Sequence, residues 1–183
     1  MWKPEYPNTS FDNLRPDDAF WAARIVSRFS DEAIRAVVAK ARYSDARAAE
    51  YIASTLIKRR DKVVRHWLTG INPIVDPALG PDGVLKFRNA AVDAGLASAT
   101  PIEYTLRWSR FDNAADAPVG QAEESRTAGT TGAAPAKILE GAPFVAVAIE
   151  TIHPDYPHWR EPVRVYFRRT ASGWQTVGLD RLP

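Results

Sequence analysis

The sequence predicts an α+β protein, an N-terminal three-helix unit packed against a C-terminal antiparallel β-sandwich, and three observations carry that prediction. Over residues 16–67 the apolar positions return every three to four residues, the period of helices with one buried face. Over residues 84–180 they alternate, the period of strands with one dry and one wet face. Between these stretches, residues 72–83 are rich in proline and glycine, and Pro81-Asp82-Gly83 is a turn signal. The expected domains are a helical unit over 1–76, with an extended N-terminal arm, and a sandwich over 84–183.

The arm, residues 1–15, contains Pro4, Pro7 and the turn-forming Asn8-Thr9-Ser10. Pro16 suits the first position of a helix, and Asp17 and Asp18 suit its positive end. Phe20, Ala23 and Phe29, with Trp21, Ile25 and Val26 beside them, are expected to form a broad buried stripe. Ser30 reads as the cap of a second helix, in which Ile34, Val37, Val38 and Ala41 share one face. Ser44-Asp45 repeats the start signal. In the third helix Ala48, Ile52, Leu56, Val63 and Trp67 are expected to face inward, and Gly70 and Pro73 end it.

Six strands are expected, over 84–88, 102–111, 137–140, 144–152, 162–169 and 174–180. Tyr104, Leu106 and Trp108 alternate with Thr105, Arg107 and Ser109. Val163, Val165 and Phe167 oppose Arg164, Tyr166 and Arg168, and Ser172-Gly173 turns this strand into the last one as a hairpin. Strand number and alternation resemble the immunoglobulin or fibronectin III architecture, without the antibody-type cysteine pair. Residues 113–136, biased to Ala, Gly and Thr, are expected to be a mobile loop or to conceal an edge strand.

Composition narrows the function classes. The 183 residues are 45% hydrophobic and 25% charged, within the globular range. A net charge of +2, from 24 basic and 22 acidic residues, is too small to imply nucleic acid, despite a pI near 9.0. Without cysteine there is no disulfide, thiolate metal site or thiol nucleophile. No apolar run approaches the ~20 residues that span a bilayer, so no membrane insertion is expected. The compartment stays open, a periplasmic or cell-envelope parent included.

The densest set of functional side chains lies in residues 150–161, where His153, Asp155, Tyr156, His158 and Trp159 are the candidate binding residues. Two imidazoles at i and i+5 with a carboxylate between them suit a divalent ion chemically, but the spacing fits no standard zinc pattern. As a recognition loop, the segment offers the flat faces of Tyr156 and Trp159 and hydrogen bonds from His153, Asp155 and His158 to a glycan or a protein. As an ordinary turn, its aromatics fold back onto the sandwich edge. Trp21, Trp67, Trp108 and Trp174 occupy periodic, core-like positions, whereas Trp2 and Trp159 lie outside regular elements and are expected to contact something beyond the chain.

Lys58-Arg59-Arg60-Asp61-Lys62, with Arg65 and His66, could be taken for a DNA-reading helix. These residues point around most of the helix circumference, and cations also suit a helix C-terminus, so no nucleic-acid partner is expected. No nucleophile elbow, phosphate-binding loop or dinucleotide fingerprint occurs; Gly129-Thr130-Thr131-Gly132 lacks the Lys-Ser/Thr that would follow. No catalytic residue, cofactor or metal-ligand set is expected.

Tyr6-Pro7-Asn8-Thr9-Ser10-Phe11-Asp12, then Asp18-Ala19-Phe20-Trp21-Ala22-Ala23-Arg24-Ile25-Val26, Phe29-Ser30-Asp31-Glu32-Ala33-Ile34-Arg35-Ala36, Tyr43-Ser44-Asp45 and Leu56-Ile57-Lys58-Arg59-Arg60-Asp61-Lys62 resemble the C-terminal region of a group of large uncharacterised bacterial proteins. The resemblance is concentrated in the first 65 or so residues. It implies a domain cut from a longer chain and carries over no activity. The expected function is a non-catalytic interaction or accessory module that meets the rest of its parent or another protein. The alternatives are a carbohydrate-binding module using Tyr156 and Trp159 and a metal-dependent enzyme fragment using His153, Asp155 and His158.

Overall fold

A computed structural model describes residue 6 and residues 8–181, with residue 11 described in its backbone only. The chain divides into two compact units, Met1–Gly70 and Ile71–Pro183. The helical unit contains α1 (Thr9–Asp12), α2 (Pro16–Val26), α3 (Asp31–Ala39) and α4 (Ala46–Thr69). Part of the expected extended arm, Trp2 included, lies outside the described residues; within the described part, Thr9–Asp12 forms the one-turn helix α1.

Each longer helix starts where its side chains satisfy orphan backbone donors. Pro16 opens α2, and the Asp18 carboxylate accepts the Arg15 N–H at 3.4 Å. The Ser30 hydroxyl accepts the Ala33 N–H at 3.1 Å, and Asp45 caps α4 by accepting from Arg47 at 2.8 Å. Gly70 ends α4 in a right-handed conformation; a Cβ there would lie 2.8 Å from the His66 carbonyl oxygen. Both α2 and α3 pack on α4. Arg60 ties their connection to α4, donating to the Phe29 carbonyl at 2.6 Å and pairing with Asp31 and Asp61. Arg35 pairs with Glu50.

The helical periods are as expected, but the buried phase is not. On α4 the buried residues are Ala53, Ile57, Val64 and Leu68, one step along from the expected stripe. Leu56 and Val63 are exposed, while Ala48, Ile52 and Trp67 are half-buried. One residue is 100° of helix, so two apolar stripes adjoin on α4 and the chain covers one of them. On α2, Ala19, Phe20 and Ala23 are buried, whereas Trp21 is 65% exposed and Ile25 and Phe29 also face solvent. On α3 only Val38 is buried, and Val37 is 69% exposed.

The second unit carries β1 (Ile74–Leu79), β2 (Val84–Asn89), β3 (Glu103–Asp112), β4 (Ala117–Thr127), β5 (Thr131–Ala133), β6 (Phe144–Ile152), β7 (Val163–Thr170) and β8 (Gly173–Arg181). Two short helices, α5 (Ala90–Asp93) and α6 (Ala136–Leu139), interrupt them. All pairings are antiparallel, in the orders β1-β2-β5 and β4-β3-β6-β7-β8. Alternation places Tyr104, Leu106 and Trp108 of β3, Val145, Val147 and Ile149 of β6, and Val163, Val165 and Phe167 of β7 in the core. Leu85 and Phe87 from the smaller sheet join the same core, Phe87 meeting Tyr104 edge-on at 4.9 Å. At Gly132 of β5 a Cβ would lie 2.3 Å from a Leu106 methyl, so the close approach of β5 to β3 requires glycine there.

The result is a two-sheet sandwich of three and five strands. The larger sheet ends on β8, paired to β7 beyond the core strands β3 and β6.

Two segments depart from expectation, and a third settles an open alternative. The supposed linker contains β1, a bulged edge strand: Asp76 has φ 52° and the register shifts between Val75 and Ala78. Proline is tolerated there because an edge strand needs fewer ladder donors. Residues 113–136, expected to be a mobile loop or to conceal an edge strand, contain β4 and β5, so the edge-strand alternative holds. β4 is an edge strand with mostly exposed side chains, held by its ladder to β3 rather than by burial, so it carries no alternating signal. The expected strand 137–140 is instead α6, where Ile138 alone is buried.

Candidate functional site

The candidate loop joins β6 to β7 at one end of the sandwich. Pro154 and Pro157 remove two backbone donors and restrict φ, and the chain between them closes tightly. Tyr156 donates its N–H to the His153 carbonyl at 3.3 Å, and Trp159 donates to Tyr156 at 3.0 Å. Pro157–Arg160 forms one 3₁₀ turn.

This turn folds the aromatics inward. Trp159, expected to be an exposed recognition residue, is 0% exposed and belongs to the sandwich core. Tyr156 stacks on it, with ring centroids 4.2 Å apart and planes 13° apart, and is half-buried rather than outward-facing. His153 is 7% exposed and completes the cluster, 4.9 Å from the Tyr156 ring and 5.4 Å from the Trp159 ring. Its Nδ1 accepts the Asp155 N–H at 3.1 Å. Asp155 and His158 remain on the exposed rim. The fold therefore brings His153, Tyr156 and Trp159 together as an aromatic plug, with the exposed His158 ring edge-on to Tyr156 at 6.1 Å, and leaves Asp155 on the rim. Among the described residues no group of three His, Cys, Asp or Glu side chains is placed to hold a metal ion.

Asn72, unnoticed in the sequence, holds this loop in place. It is buried, donates from Nδ2 to the Ile149 and Glu161 carbonyls at 2.9 Å each, and accepts the Thr151 hydroxyl at 2.8 Å. A buried amide with these three partners ties the approach to β1, the end of β6 and the loop together. Its position in an apparent linker concealed it. The only sequence signal is a carboxamide directly before a proline, which more often marks a turn.

A second cluster lies at the C-terminal end of β2. Asn89 caps α5, accepting from the Ala91 and Val92 N–H groups at 3.1 and 3.2 Å, and donates to the Tyr104 hydroxyl at 3.2 Å. Burial pushes the Tyr104 phenol above its ordinary range, with the Asn89 hydrogen bond opposing the shift. Arg88 pairs with Asp93 at 2.9 Å and Asp76 at 3.6 Å. These residues border a cleft of about 240 Å³ that Val92, Ala99 and Gly129 help to line. A larger, open groove of about 520 Å³ lies under the β3–β4 hairpin tip, between Phe111, Val119 and Phe144. Its guanidinium, from Arg110, is already engaged with the Lys137 and Glu140 carbonyls. Neither recess brings a nucleophile, a base and an oxyanion donor together, the minimum set for group transfer.

The exposed apolar side chains are distributed unevenly. Large ones in the second unit are Val119, Val177 and Leu179, whereas the helical unit exposes Trp21, Phe29, Val37, Tyr51, Leu56 and Val63 among others. No helix of the described residues is long and apolar enough to cross a membrane. Comparison with protein-family models, with curated proteins and with solved structures found no match.

Proposed function

We propose that the chain is a non-catalytic interaction module, the C-terminal part of a larger bacterial protein, and that its helical unit is the surface it offers to the rest of that protein or to a partner. One observation carries the reading. Trp21, Val37 and Tyr51 are 65%, 69% and 73% exposed, while the buried positions of the same helices are few and include Ala19, Ala23 and Ala53. Single exposed apolar residues are ordinary; large apolar side chains exposed on every long helix of a small unit, two of them aromatic, mark a surface normally covered. Aromatic residues are also the side chains that anchor protein interfaces.

The aromatic loop supports a glycan reading less well, because its largest flat face, Trp159, is enclosed and Tyr156 is stacked against it. The test is photo-crosslinking in the native host, with a benzophenone side chain placed at Trp21, Val37 or Tyr51 and, as a control, at Arg164 on the exposed face of β7. Covalent protein adducts from the three helical positions and none from the control are the expected result. Adducts absent from all three overturn the reading.

A further inference from the structure

The stripe left uncovered on α4 has a chemistry of its own. Ile52, Leu56, Arg59 and Val63 follow one another at i, i+4, i+7 and i+11, so they form one line about 16 Å long on the helix surface. Leu56 and Val63 are exposed on either side of Arg59. Arg59 makes no hydrogen bond or ion pair among the described residues, nor does its neighbour Lys62. Arg35, paired with Glu50, and Arg60, paired with Asp31 and Asp61, contrast with it, whereas Arg65 on the same helix is likewise without an ion pair among the described residues but does not lie between two exposed apolar side chains of this line.

An apolar partner laid over Leu56 and Val63 would enclose the Arg59 guanidinium between them. Burying an unpaired cation is strongly unfavourable, so a stable occupant must bring its own carboxylate to that point. A second copy of the chain is poorly suited to do so. The carboxylates of α4, Glu50 and Asp61, lie on the far side of the helix from this stripe and are already paired, so a contact of α4 with α4 of a second copy sets cations against cations.

We propose that the Leu56–Arg59–Val63 stripe is a seat for an amphipathic helix of a protein partner, whose apolar face meets Leu56 and Val63 and whose acidic residues meet Arg59 and Lys62. This rests on the reading of the helical unit as an interaction surface and names the chemistry of what it binds.

The test uses the full chain with two synthetic helical peptides that share a heptad leucine seam, one flanked by glutamate and the other by lysine. Binding is read by fluorescence anisotropy at about 0.15 M salt, where distant surface charges are screened. The glutamate peptide is expected to bind at least ten-fold more tightly than the lysine peptide. Arg59→Glu with Lys62→Glu should reverse that preference, and Leu56→Ser with Val63→Ser should weaken both peptides. Arg164→Glu with Arg168→Glu, the same charge change made on the exposed face of β7, should leave the preference intact.

Equal binding of the two peptides, binding of neither, or a preference that survives the Arg59 and Lys62 replacements overturns the proposal. Concentration-dependent dimerisation that Leu56→Ser abolishes assigns the stripe to a second copy instead. Tighter binding to phosphatidylglycerol vesicles than to the glutamate peptide, lost in the Arg59 and Lys62 variant, assigns it to an anionic membrane surface. Either of these two results also overturns the proposal. Crosslinking from Trp21 and Val37 is independent of this stripe, so failure here with adducts retained there would reject the seat and leave the module.

Discussion

Trp159→Ala is the sharpest test of the candidate loop, because it decides whether that loop is a recognition surface or a plug. The side chain is fully buried and sits in the sandwich core, so truncation removes a large apolar volume that the surrounding strands cannot refill. Replacing a buried tryptophan by alanine destabilises by about 3–5 kcal/mol, and losing the stacked Tyr156 partner adds roughly 0.5–1.5 kcal/mol to the ring's own burial. Against a total stability of about 5–15 kcal/mol, such a loss is a large fraction of the whole. At roughly 4 °C per kcal/mol for a domain near this size, the burial and stacking losses together should lower the melting temperature by about 14–26 °C. Urea denaturation followed by circular dichroism measures the loss directly. Tyr156→Ala should lose less, and the double variant should lose less than the sum of the two, because the stack disappears in either single variant. A Trp159→Ala loss below about 1 kcal/mol would refute the reasoning and return the ring to the candidate ligands.

Further expectations follow from the same geometry. Asn72→Ala removes the partner of the buried Thr151 hydroxyl, of the buried Ile149 carbonyl and of the part-buried Glu161 carbonyl, and should cost about 2–4 kcal/mol in chemical denaturation; a loss under 1 kcal/mol would mean that water replaces the amide. Ile57→Ala should destabilise by about 2–4 kcal/mol and Leu56→Ala by well under 1 kcal/mol; equal losses would show the buried phase of α4 to be misplaced. Hydrogen bonding from the Glu32 backbone N–H, then from the Ser30 hydroxyl, holds the Glu32 carboxyl below the ordinary glutamate range. A lowered folded value means that its contribution to α3 is present above about pH 4.3 and lost as the pH falls through the folded value. Ser30→Ala should raise the Glu32 titration midpoint seen by NMR, and an unchanged midpoint would remove the hydroxyl from the account.

How much of the candidate site was legible follows from which residues depend on local chemistry. The cluster itself was visible as a density of histidine, carboxylate and aromatic side chains between two strands. Which way it faced was not, because a loop carries no period, and the direction of Trp159 is set by a core cavity that exists only after both sheets have formed. Asn72 was invisible for a related reason: its hydrogen-bond partners, Thr151, Ile149 and Glu161, are distant in sequence and meet it only in the folded unit.

What the sequence determined by itself is what backbone geometry enforces locally. Periods of 3.6 and 2, the caps at Ser30 and Asp45, the hairpin at Ser172-Gly173 and the inward faces of β3, β6 and β7 all follow from neighbours within a turn or two. Only the tertiary structure decided phase, pairing and enclosure. It buried Ile57 and Val64 rather than the adjoining Leu56 and Val63, because α2 and α3 cover one of two equally apolar stripes. It made an edge strand of β4 through a ladder to β3 that owes nothing to β4's own apolar pattern. The physical reason is common to both. A helix or strand needs only its own residues to set its period, whereas the face that becomes core is chosen by whatever packs against it.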